Sequence, residues 1–439
     1  MLKINHIEVL YPYFLKANQK ICTDTRKIEK GSIFFALKGD NFNANGFAKK
    51  AIELGCEYAV IDDEAYFESE QMLLVDDALI ALQSLANYHR QQLHIPFLSI
   101  TGSNGKTTTK ELIATVLSKK YKTLATFGNL NNHIGVPLTL LSIKPEHEFA
   151  IIEMGANHQG EIEQLSRIAQ PDYGLITNIG KAHLEGFGGL EGVKKGKSEL
   201  YRYIEEKKGK IFIHQDDSTL IDLAKNNSCI SYGKSNSCDF IGQDCSKEET
   251  VSLKVKSKAD QRDWSEIPSI ETNIIGNYNF INCLAACAIG SYFGVQEQDI
   301  IHALENYHPN MNRSQLIKTK TNTILLDAYN ANPNSMKAAI DNFSNLKVEN
   351  KIALLGDMFE LGEYSAMEHQ AVIDLLLQKG IENVILVGPM FSATNHLPYK
   401  SFSSLQECRD FLIKQTITQS TILIKGSRGM KMETLAEVL

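Results

Sequence analysis

The stretch Thr101-Gly102-Ser103-Asn104-Gly105-Lys106-Thr107-Thr108 carries the residue types that hold a phosphate. Glycines let the backbone bend so that successive N–H groups, and the N-terminus of a following helix, point at anionic oxygens. Lys106 then lies against the β- and γ-phosphates of a nucleotide, and the Thr107 hydroxyl reaches a Mg²⁺. The nucleotide-contacting residues expected here are Gly102, Ser103, Asn104, Gly105, Lys106, Thr107 and Thr108. The common spacing places a glycine five residues before Gly105, but Ile100 stands there, so this loop is shorter than in GTPases and most ATPases. By residue type alone such a segment can also be an ordinary strand-to-helix turn. Glu153, in Ile152-Glu153-Met154-Gly155-Ala156, reads either as a helix cap or as a carboxylate for the metal. His183, in Gly180-Lys181-Ala182-His183-Leu184-Glu185, reads either as a plain polar residue or as a member of the same site. Lys194, Lys195 and Lys197 read, by type, as a solvated basic face.

These residues need a scaffold, and the hydrophobic periodicity supplies one. A strand Phe97-Leu98-Ser99-Ile100 precedes the loop, and a helix follows it to about Lys120 with Leu112, Val116 and Leu117 on one face. A strand at Ala150-Ile151-Ile152, a helix from Gly160 to Ala169 and a strand at Gly174-Leu175-Ile176 continue the alternation of a parallel sheet. Glu153 and His183 both follow strands, which brings them to the same sheet edge as the phosphate loop. Before this region, strands at 32–37 and 58–61 flank a helix at 47–54. After Pro309 come strands at 323–327, 351–355, 383–387 and 421–425, with helices at 335–346, 363–379 and 403–414 between them. The expected fold is α/β in three domains: 1–92, a central parallel-sheet ATPase domain at 93–308, and a doubly wound Rossmann-like domain at 309–439. The polar stretch 215–268 is expected to hold short antiparallel strands or loops.

Composition removes other classes. The 439 residues are 43% hydrophobic and 22% charged, which is globular, and a formal net charge of -7 gives no global positive field for nucleic acid or an anionic membrane. No apolar run approaches the ~20 residues of a membrane span. Met1 to Lys20 places Lys3, Glu8 and Lys16 among short apolar pieces, unlike a secretory or transit signal, so the cytoplasm is the expected compartment. The eight cysteines form no CxxC pair and are read as reduced thiols, with Cys283 and Cys287 one helical turn apart as small packing residues.

The short loop followed by Thr126-Phe127-Gly128-Asn129-Leu130-Asn131-Asn132 and Gly135-Val136-Pro137 resembles the Mur ligase family. That resemblance implies an ATP-dependent amide ligase working through an acyl phosphate, with two Mg²⁺ ions. It makes Val193 to Leu200 the segment whose lysine, here Lys197, reacts with CO₂ to give a metal-binding carbamate. The implied metal set is Thr107, Glu153, His183 and carbamylated Lys197, and the implied catalytic set is Lys106, Lys197, His183 and Glu153. Gly276 to Ala286 looks like the family segment whose asparagines, Asn279 and Asn282, face the adenine and ribose; Pro309 to Arg313 supplies Arg313, and the following strand Asp327. The segments 327–336, 355–362 and 423–430 resemble the members that add D-alanyl-D-alanine, with Asn330, Asn332 and Ser335 as dipeptide contacts or, alternatively, as the cap of the helix beginning there. Asp24-Thr25-Arg26 and Asn45-Gly46-Phe47 resemble the UDP-binding part, giving Thr25, Arg26, Asn45 and Gly46 for a UDP-N-acetylmuramoyl tripeptide. A monomer whose third domain closes over the central one is expected. Among rivals, members adding a single amino acid are disfavoured by 327–336 and a GTPase or kinase by the short loop, while a non-catalytic nucleotide-binding scaffold would show no substrate-dependent ADP release.

Overall fold

A computed structural model describes residues 3–39, 41–246, 250–309 and 312–439. Three sheets follow one another along the chain, beside a two-stranded ribbon, Lys38–Gly39 with Phe42–Asn43. The first has four parallel strands in the order Ile21–Cys22, Ile33–Phe35, Tyr58–Ile61 and Met72–Leu74. The helix Ala78–Gln91 starts at Asp77, whose side chain accepts from the Ile80 amide, and buries Leu82, Leu85 and Ala86. It packs against Gly135–Leu141 and Glu161–Ala169, so one apolar cluster runs from the first sheet into the middle one.

The middle sheet has nine strands. Phe97–Thr101 and Phe149–Glu153 are buried at every position, as strands covered on both faces must be, which is why both read as mainly apolar runs. Phe97–Thr101 pairs in parallel with Phe149–Glu153 on one side and Tyr173–Ile176 on the other. The chain moves from Phe97–Thr101 to Thr123–Ala125 and Phe149–Glu153, then crosses to Tyr173–Ile176. That reversal opens a crevice at the carboxyl end of the central strand, where the phosphate loop begins.

The stretch 215–268 meets the expectation in part, with Phe240–Asp244 antiparallel to Thr250–Ser257, and departs from it in its parallel strands and its helix. It adds the helix Ser218–Leu223, then Ser228–Gly233 and Phe240–Asp244, which extend the sheet in parallel, before Thr250–Ser257 and Ile270–Ile275 close it antiparallel. Ser228–Gly233 opens with two exposed residues, Ser228 and Cys229, so it looks like loop to a hydrophobicity argument.

The third sheet has six strands in the order Gln315–Lys318, Thr323–Asp327, Thr421–Lys425, Lys351–Gly356, Asn383–Val387 and Lys400–Phe402. The inner four stand where the periodicity places them. The antiparallel Gln315–Lys318 and the three-residue Lys400–Phe402 are additional edge strands, mostly half-buried, without an apolar run to announce them. Among the described residues no helix is long and apolar enough to cross a membrane.

Candidate active site

The phosphate loop takes its shape from its neighbours. Gly102 and Gly105 have φ of +144° and +78°, and a Cβ on Gly102 would collide with Thr177 Oγ1. The Ser103 amide donates to the Asn178 carbonyl (3.0 Å) and the Asn104 amide to Asn178 Oδ1 (3.0 Å), while Thr177 Oγ1 donates to the Asn104 carbonyl (2.6 Å). The exit of the strand Tyr173–Ile176 therefore moulds the loop. Gly102→Ala is expected to destabilise the chain by about 1–3 kcal/mol, as overpacking does, and to weaken nucleotide binding further. Thermal unfolding with and without nucleotide reads both effects.

Lys106 opens the helix Lys106–Leu117 and donates back to the Gly102 carbonyl (2.6 Å) and more weakly to that of Ser103 (3.4 Å). Desolvation lowers its pKa to about 8, against the pull of Glu153 and with the push of Arg313. Glu153 is 1% exposed. One of its oxygens accepts from Thr107 Oγ1 (3.1 Å) and Asn131 Nδ2 (2.7 Å). The other, Oε2, has no hydrogen-bond donor and lies 3.8 Å from Lys110 Nζ. A buried carboxylate oxygen without a donor, beside a threonine hydroxyl and the phosphate loop, suits a hard cation, so the residues fit Mg²⁺. Among the described residues no group of three or more His, Cys, Asp or Glu is placed to hold a metal ion.

His183 adopts a left-handed backbone (φ +52°). Its Nδ1 lies 2.5 Å from Glu360 Oε2, close enough for an ion pair but turned off the hydrogen-bond axis, and the contact holds the Glu360 carboxyl below its ordinary range. Lys197 is the last residue of the helix Leu190–Lys197 and is 1% exposed. Its amine makes one hydrogen bond, to the Ala156 carbonyl (3.2 Å), and sits 5.2 Å from the centre of the Phe187 ring. Burial, helped by the charge of Lys106, holds its pKa well below the ordinary lysine value. Lys195 is exposed and Lys194 half-buried, so the basic-face reading suits those two and not Lys197.

A cleft of about 650 Å³ gathers much of this, with Ser103 to Thr108, Glu153 and His183 on its wall. Asn279, Asn282, Arg313 and Asp327 line it as well, and so do Asn330, Asn332 and Ser335 from the third sheet. Gly102 and Lys197 lie behind the wall, although Ala156, which Lys197 touches, is part of it. Asn279 is 2% exposed and ties the cleft together, donating to the Ile275 carbonyl (2.7 Å) and Ser314 Oγ (3.2 Å), while Asn282 donates to Asn279 Oδ1 (2.8 Å). The Arg313 guanidinium stacks 3.6 Å from the centre of the Tyr329 ring. Within its segment, Asn310 and Met311 lie outside the described residues. Asp327 accepts from the buried Lys425 Nζ (2.6 Å).

Asn332 and Ser335 do cap their helix: the Ser335 amide donates to Asn332 Oδ1 (2.9 Å) and the Asn332 amide to Ser335 Oγ (3.1 Å). Asn332 has a second role, donating from Nδ2 to Asn104 Oδ1 in the phosphate loop (2.7 Å). Thr25, Arg26, Asn45 and Gly46 belong to the first sheet's region and do not line this cleft. Arg26 is held by Asp24 through Nε to Oδ1 (2.9 Å) and Nη2 to Oδ2 (2.8 Å), which lowers Asp24 to about 2. Asn45 is buried and its side chain is engaged with Asn43 and Asp62.

Four residues at the site were not singled out from the sequence. Lys110 follows Lys106 by one helical turn, a spacing that could have found it. Asn131, Glu360 and Lys425 sit inside segments already conspicuous, but only the fold shows Asn131 reaching Glu153, Glu360 reaching His183, and Lys425 reaching Asp327.

Comparison with known proteins bears on the same regions. Residues 100–290 match the Mur ligase middle domain and residues 312–428 the Mur ligase, glutamate ligase domain. A Bacillus subtilis protein named UDP-N-acetylmuramoyl-tripeptide--D-alanyl-D-alanine ligase is 37% identical over 95% of this chain and 92% of its own length. An Escherichia coli protein of the same name is 33% identical over 95% and 93%. A crystal structure of MurF from Acinetobacter baumannii superposes with a TM-score of 0.85 at 34% identity, covering 95% of this chain and 92% of that one. Near-complete relatives on both sides, together with a phosphate loop and a third-sheet edge meeting in one cleft, make this chain a member of the Mur ligase family.

Proposed function

We propose that this chain joins D-alanyl-D-alanine to a UDP-N-acetylmuramoyl tripeptide, using ATP, in peptidoglycan precursor synthesis. The observation that carries the reading is the hydrogen bond from Asn332 to Asn104, which makes the phosphate loop and the third-sheet edge two walls of one cleft. The names of relatives aligned over nearly the whole chain supply the substrates. Residues 1–92 hold the UDP-linked substrate, through Thr25, Arg26 and the turn at Asn45 and Gly46; 93–308 hold ATP; 309–439 receive the dipeptide. A cytoplasmic monomer is the proposed setting, in keeping with eight cysteines that are all free thiols.

Condensing a carboxylate with an amine in water is uphill, so the carboxylate first needs a leaving group. The terminal carboxylate of the tripeptide attacks the γ-phosphorus, ADP departs, and an acyl phosphate forms. The dipeptide amine then attacks the acyl carbon and phosphate leaves. Lys106 and the N-terminus of the helix Lys106–Leu117 face the transferring phosphoryl group, while the Ser103 and Asn104 amides are spent on Asn178. Asn279, Asn282, Arg313 and Asp327 form the nucleotide end of the cleft, and Asn330, Asn332 and Ser335 the dipeptide end. Thr107, Glu153, His183 and Lys197 would hold two Mg²⁺ ions, which neutralise charge on the phosphate oxygens. Lys197 serves as a carbamate: its neutral amine adds to CO₂ and one proton is released, turning an uncharged buried side chain into an anion.

Phosphate release by the purified chain, supplied with ATP, Mg²⁺ and the UDP-linked tripeptide, tests the reading. D-alanyl-D-alanine is expected to drive it roughly 100-fold better than single amino acids. Equal stimulation by single amino acids would sink the assignment.

A further inference from the structure

A second cavity of about 330 Å³ opens beside the first, and the two share Asn129 and Tyr329 as a common wall. Gly128, Asn312, Arg428 and Glu433 complete the part that matters here. We propose that this cavity holds the carboxylate end of the acceptor dipeptide and that the Arg428 guanidinium receives it. The inference rests on the ligase reading above and goes beyond it by assigning a recognition residue for the acceptor's far end.

Arg428 stands on the turn Arg428–Met430 that follows the strand Thr421–Lys425. The turn is pinned from behind, because the Phe359 amide donates to Ser427 Oγ (2.9 Å) and the Ser427 amide to the Asp357 carbonyl (3.1 Å). From that fixed base the side chain reaches over Tyr329, with the guanidinium carbon 5.2 Å from the ring centre and Nη1 donating to the Tyr329 hydroxyl (3.3 Å). Among the described residues this is its only hydrogen bond, and it makes no ion pair; Glu433, on the same cavity wall, stays outside ion-pair distance. A planar fork with most of its donors unused matches a carboxylate. The side-chain amides of Asn129 and Asn312 offer further donors to the same occupant.

Length supports the placement. An amine and a carboxylate at opposite ends of a dipeptide lie roughly two residues, ~7 Å, apart. The amine works in the first cavity, next to the transferring phosphoryl group, and the second cavity, which shares Asn129 and Tyr329 with it, is the neighbouring space into which the carboxylate end extends. Glu433 sets a second condition: its carboxylate on the same wall disfavours an acceptor whose side chain brings a further negative charge.

The test compares D-alanyl-D-alanine with its C-terminal carboxamide as acceptors, at saturating ATP and UDP-linked tripeptide. The wild-type chain is expected to prefer the carboxylate by roughly 10- to 100-fold in kcat/KM, the size of a charge-assisted contact. Arg428→Met is expected to lose that preference while KM for ATP and for the tripeptide stays within about twofold, and Arg428→Lys to recover part of it. The exposed position of Arg428 makes misfolding an unsuitable explanation, and the unchanged KM for ATP checks the fold in the same assay. An Arg428→Met chain that keeps the wild-type preference, or whose defect falls on ATP, overturns the assignment. A wild-type chain that ligates neither acceptor would instead bring down the ligase reading, and this inference with it.

Discussion

Lys197→Ala is expected to lower ligation by roughly 10³-fold, the scale seen when a group stabilising transition-state charge is removed, while the UDP-linked substrate still binds. The reasoning starts from desolvation. A lysine 1% exposed, with one carbonyl partner at 3.2 Å and an aromatic ring for a neighbour, is a poor place for an ammonium with three donors. Burial favours the neutral amine, which is the form that adds CO₂, and the carbamate so formed is an anion that a metal ion can meet. Deleting the side chain also leaves a void, so Lys197→Met serves as the volume control. Two further readouts separate chemistry from packing: a small carboxylic acid should partly rescue Lys197→Ala but not Lys197→Met, and wild-type activity should fall when CO₂ is stripped and return with bicarbonate. Full activity in Lys197→Ala would remove the carbamate altogether.

How much of this was legible in the residues depended on what each element buries. Strands covered on both faces, such as Phe97–Thr101 and Thr421–Lys425, are buried from end to end and carry an apolar centre that declares them. Edge strands do not: Gln315–Lys318 and Lys400–Phe402 have no fully buried residue, and the interior strand Ser228–Gly233 opens with two exposed residues. The phosphate loop was legible because glycines and a lysine between a strand and a helix have few other uses. Lys197 was not, since type and spacing place it with Lys194 and Lys195 on a basic face and only a resemblance to relatives set it apart. Its burial depends on the long-range packing of Phe187 and Ala156 around it. The pairs Asn332 with Asn104 and Glu360 with His183 cross from the third sheet to the middle one. Such pairs depend on how two sheets face each other, which no local pattern encodes. Asn45 shows the converse: a turn asparagine expected to meet a nucleoside is buried and engaged by Asn43 and Asp62, so any contact it makes there passes through its backbone.

Lys106→Met is expected to lower ligation by roughly 10²- to 10³-fold, and its signature should be written in pH as well as in rate. In the free chain Lys106 has a pKa of about 8, because the foot of the cleft strips water from the ammonium faster than Glu153 can compensate. A bound polyphosphate restores the ammonium and raises that pKa again. The sign then follows from proton counting. Below about 8 the lysine is already charged and binding takes up no proton; above it the free chain is neutral there, each nucleotide bound carries in one proton, and affinity falls up to tenfold per pH unit until the ordinary lysine value is reached. Calorimetric titration of ADP at about pH 9, in two buffers of different ionisation heat, should detect close to one proton taken up by the wild-type chain. Lys106→Met should take up none and bind with an affinity that hardly changes across the same range. Flat wild-type affinity through that window would mean that Lys106 keeps its charge in the free chain, and that its two carbonyl contacts, not desolvation, set its state.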